Sequence, residues 1–212
     1  MTEIIAGVAI PDSSLAKDAT ELIRDTTNEL IYHHSRRVYL FGTMQSRRLG
    51  MNVDPELLYV AAMFHDTGLV APYRSATQRF EMDGADAAQD FLKHHGVDEL
   101  IAHVVWTAIA LHTTPEVPYK MHPVIAATTA GVETDVLGLH LEGIGTDDIA
   151  AVTAVHPRPN FKANILAAFT DGFADRPAST FGTVNADVLR HFVPGFQPVD
   201  FVEVITNSAW PE

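Results

Sequence analysis

Residues 61–70 read AAMFHDTGLV. An apolar run ends in two ionisable neighbours, His65 and Asp66, at a point that hydrophobicity marks as interior. Polar groups placed there need partners. The run opens at DPELLYV (54–60), where Asp54 is a ready N-cap and Pro55 fits the first helical position. Thr67-Gly68 supplies the helix end, with Gly68 expected in the left-handed conformation. Adjacent residues on a helix diverge by about 100°. His65 and Asp66 can therefore face one common target only from such an end.

The flanking sequence is helical as well. SSLAKDATELIRDTTNELIYHHSRRVYLFGTMQSRRLG (13–50) carries Leu22, Leu30, His34, Val38 and Phe41 at helical spacing, with a break expected at Thr26-Thr27-Asn28. GADAAQDFLKHHG (84–96), DELIAHVVWTAIALH (98–112) and HPVIAATTAGVETDVLG (122–138) each read as a helix, and three shorter ones follow. DGFADRPASTFGT (171–183) reads as a loop. Alternation of period two is nearly absent, so the expected fold class is all-α.

Composition narrows the function. The 212 residues hold 47% hydrophobic and 19% charged side chains, the profile of a folded domain. A formal net charge of −13 repels phosphate backbones and anionic membranes, so neither nucleic acid nor a membrane is an expected partner. No stretch approaches the roughly 20 apolar residues of a membrane helix. The opening MTEIIAGVAIPDSS lacks a basic n-region and does not read as a secretory signal, which makes a soluble, cytoplasmic protein the expectation. With no cysteine in the chain, any metal must be held by His, Asp, Glu or water.

His34 falls one turn after Leu30 and one turn before Val38, which turns it toward the core. Asp135 lies on a third apolar helix. Any one of these polar residues alone is usually a satisfied core group. Together, His34, His65-Asp66 and Asp135 come from separate helices and form a ligand set able to enclose one divalent ion inside a bundle.

The order H…HD…D resembles the HD-domain superfamily of metal-dependent hydrolases, whose fold is a helical bundle around the metal. The resemblance spans about residues 25–140 and implies a single HD-type domain over 1–212, with a helical appendage over about 141–212. A closer resemblance is to the cyanamide hydratase family, carried by HSRRVYLFG (34–42), AAMFHDTGL (61–69), RFEMDGADAA (79–88), AIALHTT (108–114), GVETDVLG (131–138) and the tail NSAWPE (207–212). That resemblance implies Zn²⁺, with Fe²⁺, Mn²⁺ or Co²⁺ as alternatives. It also implies a hydro-lyase that adds water to a small nitrile-like substrate, as in cyanamide to urea.

The chemistry needs a nucleophile at neutral pH, and zinc lowers its bound water from a pKa of 15.7 to about 7. His34, His65, Asp66 and Asp135 are the expected ligands. Glu81 and Asp83 precede a predicted helix; Asp83 has an equal capping explanation, whereas Glu81 is expected outside the helix as a proton acceptor or substrate contact. His112 ends an apolar helix and is expected at the site with Thr113, while Phe64 is expected at the pocket wall. One of Arg36 and Arg37 is expected to pair with an acid near the site and the other to be solvated. His33 points to a different face, and His156 joins no cluster that the sequence justifies.

Three rival readings stay open. A phosphohydrolase should bring Arg or Lys to the metal, yet Arg74, Arg79 and Lys120 lie away from the motif blocks. An iron oxygenase of this superfamily adds two further histidines, and only His112 is available for those positions. A binding or regulatory module would lack ligands, and none is missing. The C-terminal DFVEVITNSAWPE (200–212) is apolar enough to pack on a second copy, so a homo-oligomer is possible in this reading.

Overall fold

The break at Thr26–Asn28 creates the two helices that start the bundle. Helix α1 (Ser14–Thr26) is capped by Ser13, and α2 (Glu29–Arg48) by Asn28, whose side chain accepts from the Ile31 N–H at 3.0 Å. In this computed structural model, which describes residues 2–210, α3 spans Pro55–Phe64, α4 Phe80–His94, α5 Glu99–Ala110 and α6 Pro123–Val132. Helices α7 (Thr146–Val155), α8 (Phe161–Phe173), α9 (Asn185–Phe192) and α10 (Phe201–Thr206) follow. The fold is all-α, as the sequence predicts. The one sheet among the described residues is an antiparallel ribbon of β1 (Ile4–Ile5) and β2 (Val8–Ala9), too short for any alternation to reveal. No helix among them is long and apolar enough to cross a membrane. The last two residues of the NSAWPE tail lie outside the described residues.

Helices α1 to α6 enclose the main core, in which Val38, Leu58, Tyr59, Met63, Ala88 and Val105 are fully buried. The most extensive packing includes α2 on α6. Two glycines face each other at that crossing. A Cβ on Gly42 would stand 2.6 Å from the Ala127 carbonyl oxygen, and one on Gly131 2.2 Å from that of Val38. Only glycine permits so close an approach, and that approach sets Asp135 on α6's continuation against His34 on α2. A second core of Ile31, Leu69, Phe80, Phe161, Ile165, Phe173 and Leu189 ties α8 and α9 to α2 and α4.

Several local expectations change. Helix α4 starts at Phe80, four residues earlier than expected, because buried Phe80 anchors its first turn and Gly84 is interior rather than a boundary. Glu81 therefore lies inside the helix, not before it. Gly68 is not left-handed: it sits in a 3-10 turn (Thr67–Leu69), where a Cβ would be 2.0 Å from the Phe80 carbonyl oxygen. Residues 171–173 belong to α8, and the expected loop is further interrupted by a 3-10 turn at Pro177–Thr180.

Candidate metal centre

Helix α3 ends at Phe64, His65 continues at φ −57°, ψ −35°, and Asp66 turns away at φ −104°, ψ 6° into the 3-10 turn. This bend lets adjacent side chains converge. His65 Nε2 lies 3.1 Å from His34 Nε2 and 3.3 Å from Asp66 Oδ2, while His34 Nε2 lies 3.5 Å from Asp66 Oδ2. His34, His65 and Asp66 thus form a buried group whose ligand atoms all lie within 4.8 Å of one another. His112, at the C-terminal end of α5, stands at its edge with Nε2 3.6 Å from Asp66 Oδ1 and its ring edge-on to His65 at 5.0 Å.

The far side of each imidazole explains how the rings are held. His65 Nδ1 meets the Ala62 carbonyl at 2.8 Å, His112 Nδ1 meets the Ile109 carbonyl at 2.6 Å, and His34 Nδ1 meets Asp135 Oδ2 at 2.7 Å. A carbonyl or carboxylate only accepts, so each Nδ1 carries a proton, and in the neutral ring it is the Nε2 lone pair that faces inward. This is the arrangement that orients histidine ligands. Burial lowers the pKa of His34 against the pull of Asp135, which favours its neutral form. Two lone pairs opposed at 3.1 Å repel unless a cation lies between them. Both oxygens of Asp66 are also buried with no hydrogen-bond partner. Burial works to raise its carboxyl, and the positive charge and N–H groups that His65, His112 and His34 offer in protonated form would hold it well below the usual carboxylate range; with those rings neutral, a cation has to supply that charge. Orphaned carboxylate oxygens among converging imidazole lone pairs fit a divalent cation.

Asp135 does not join the close group. It sits in a π-helical turn (Glu133–Leu137) that carries α6 onward to a left-handed Gly138. Oδ1 accepts from Arg37 Nε at 2.8 Å, and Oδ2 from Arg37 at 2.9 Å as well as from His34. Arg158 is the third side chain on this carboxylate, its Nε 3.1 Å from Oδ1. Burial raises this carboxyl, but His34 and Arg37 outweigh it and keep it ionised. Arg37 is thus the arginine that pairs with a site acid. Arg36, expected to be solvated, is instead buried, because its face of α2 meets Tyr59 and His156.

Glu81 is fully buried in the first turn of α4. Its Oε1 accepts from Thr113 Oγ1 at 2.6 Å and Asn185 Nδ2 at 2.9 Å, with Arg79 at 3.3 Å, and Oε2 has no partner. Burial raises its carboxyl, but nearby His112, Thr113 and Arg79 outweigh this and lower it. Asp83 does not cap α4: it pairs with Arg176 and accepts from the Ser75 N–H at 3.1 Å, a cross-link to the chain after α8. Phe64 packs on Phe91 in the core, ring centroids 5.0 Å apart, and does not reach the cavity.

A cavity of about 200 Å³ opens on His34, Asp66 and His112. Its walls are Thr113, Val132, Val136, Phe169 and Val184, with Glu133 as the one further ionisable group, held by the Tyr119 hydroxyl. Sequence reading missed Glu133, although it lies in the GVETDVLG block, and it missed Asn185, Phe169 and Val184, which no motif marks.

Residues 31–151, more than half of the chain, match the HD domain family, and the chain belongs to that family of metal-dependent hydrolases. No curated protein matches the chain.

Proposed function

We propose that this chain is a metal-dependent enzyme that adds water to a small, neutral, nitrile-like substrate, with cyanamide to urea as the narrow form. His34, His65 and Asp66 would hold the ion, with His112 at its edge and Asp135 orienting His34 from behind. Zinc is the ion we favour; a divalent cation there supplies, when bound, a Lewis acid and a water of lowered pKa. Glu81 lies behind Thr113 of the cavity wall and would take up or return a proton at its unpartnered Oε2, while Thr113 and Asn185 hold its other oxygen. Val132, Val136 and Phe169 narrow the cavity and exclude bulk water.

The observation that carries this reading is the cavity. At about 200 Å³ it is below the usual 300–1,000 Å³ of drug-sized pockets, and no Lys or Arg lines it. Of the nearest cations, Arg37 and Arg158 are committed to Asp135, and Arg79 reaches Glu81. A phosphate ester would meet apolar walls and two carboxylates, which disfavours the phosphohydrolase reading. The test is turnover of cyanamide and other small nitriles by zinc-loaded protein, read as urea or amide, beside nucleoside monophosphates read as phosphate. Hydration with no phosphate release supports the reading; phosphate release with no hydration overturns it.

A further inference from the structure

The function above uses Arg37 and leaves its neighbour unexplained. Arg36 turns to a different face of α2, and its side chain is only 4% exposed. Its Nε donates to His156 Nε2 at 3.2 Å and one terminal nitrogen to the Tyr59 hydroxyl at 2.6 Å. The other terminal nitrogen donates to Glu3 Oε2 at 2.5 Å, and Glu3 is 51% exposed. A buried, rigidly held guanidinium therefore presents one edge outward, and a carboxylate from the N-terminal ribbon sits on it. That edge forms part of the wall of a cleft of about 490 Å³ between the ribbon, α1 and α2.

The cleft gathers three of the chain's 14 Lys and Arg against three carboxylates, an even balance in a chain of net charge −13. Lys17 and Arg24 line it beside Arg36. Arg24 donates to the Tyr32 hydroxyl at 2.9 Å. Among the described residues neither Lys17 nor Arg24 has a carboxylate at ion-pair distance. The facing acids are Glu3, Asp12 and Glu21, of which Asp12 accepts from the Thr2 hydroxyl at 2.8 Å. Displacing Glu3 leaves three cations and two carboxylates around a solvent-open cleft.

We propose that this cleft binds a small di- or tricarboxylate, one carboxylate replacing that of Glu3 on Arg36 and another reaching Lys17 and Arg24. A guanidinium nitrogen makes a strong charge-assisted bond to a carboxylate, and the fold already seats one on that nitrogen. Arg36 and Arg37 are sequence neighbours, and His156 contacts Arg36 through its ring and Arg37 through its carbonyl at 3.2 Å. The cleft is therefore one residue removed from the contacts that hold Asp135.

Calorimetric titration of the full chain with succinate and tricarballylate, with inorganic phosphate as the comparison, tests this. Saturable binding of the carboxylates is expected, tighter for Glu3→Gln, which removes the internal competitor. The exposed pair Lys17→Gln/Arg24→Gln should weaken it about tenfold or more, the scale of losing a charge-assisted contact. Glu3 is 51% exposed and Lys17 and Arg24 lie on the surface, so these variants fold whether or not Arg36→Gln does. No saturable heat in wild type and Glu3→Gln overturns the proposal, as does binding unchanged in the double variant, which would then belong to another site. Phosphate bound as tightly as tricarballylate overturns the carboxylate assignment.

Discussion

His34 Nε2 and His65 Nε2 face each other at 3.1 Å, each with its other ring nitrogen bound to an acceptor. The two rings come from α2 and from the end of α3, and neither is exposed by more than 1%. Burying opposed lone pairs beside an unpartnered Asp66 is costly in an apolar interior. A divalent cation held there would offset that cost and so add to the stability of the fold.

Asp135→Asn separates the two roles open to Asp135. If the carboxylate orients His34, the amide oxygen still accepts from Nδ1. Metal stoichiometry should then stay at that of wild type while affinity falls about 10–100-fold. Competition with a chromophoric chelator measures this. Complete loss of metal at saturation would make Asp135 a ligand, as the H…HD…D order expects.

Glu81→Gln keeps an acceptor for Thr113 and Asn185 but removes the proton-accepting charge. Metal content and unfolding midpoint should stay near wild type while kcat falls about 10²–10⁴-fold. Asn185→Ala should lower kcat less and shift its pH profile, because Glu81 loses one of the donors that stabilise its ionised form. Wild-type kcat in Glu81→Gln would remove Glu81 from the chemistry.

How much was legible in the sequence follows from what local pattern encodes. His34, His65 and Asp66 could be read because each breaks an apolar stripe, and a broken stripe is a local signal. The Thr26–Asn28 break and the Asp54-Pro55 start were legible for the same reason: capping is chemistry between near neighbours. The orientation of Asp135 was not, because Arg37 reaches it across 98 positions and only packing reveals which way a carboxylate turns. Asn185 was invisible, since an asparagine at a helix start ordinarily reads as a cap and its partner Glu81 is 104 residues away. The start of α4 was misplaced because Gly84 resembles a boundary, whereas it lets α4 approach the Phe64 carbonyl, from which a Cβ would be 2.8 Å.

Gly131→Ala tests that the α2–α6 crossing positions the site. The added Cβ would fall 2.2 Å from the Val38 carbonyl oxygen, so the helices must separate. Overpacking of this kind costs about 1–3 kcal/mol, read by urea unfolding, and should weaken metal binding by moving Asp135 away from His34. Unchanged stability and affinity would show that the crossing has slack.

Acid should weaken the fold in a window set by His156. Burial, then Arg36, His33 and Arg37, lower its pKa from 6.5 to about 3. Between those values the unfolded chain binds a proton that the folded chain refuses, so stability rises with pH there. The contribution is complete above about pH 6.5 and is lost as pH falls toward 3. Asp66 and Asp135, held low, add to the loss only below the usual carboxylate range. Urea midpoints across this range should fall more steeply for wild type than for His156→Gln; equal slopes would assign the window to other groups.

The most direct measurement is metal content by mass spectrometry on protein dialysed against a mixture of zinc, iron and manganese. Wild type should retain one divalent ion per chain, and His65→Ala and Asp66→Ala should retain none while staying helical by circular dichroism. A wild-type chain that binds no metal, or variants that keep the ion, would contradict a centre built on His34, His65 and Asp66.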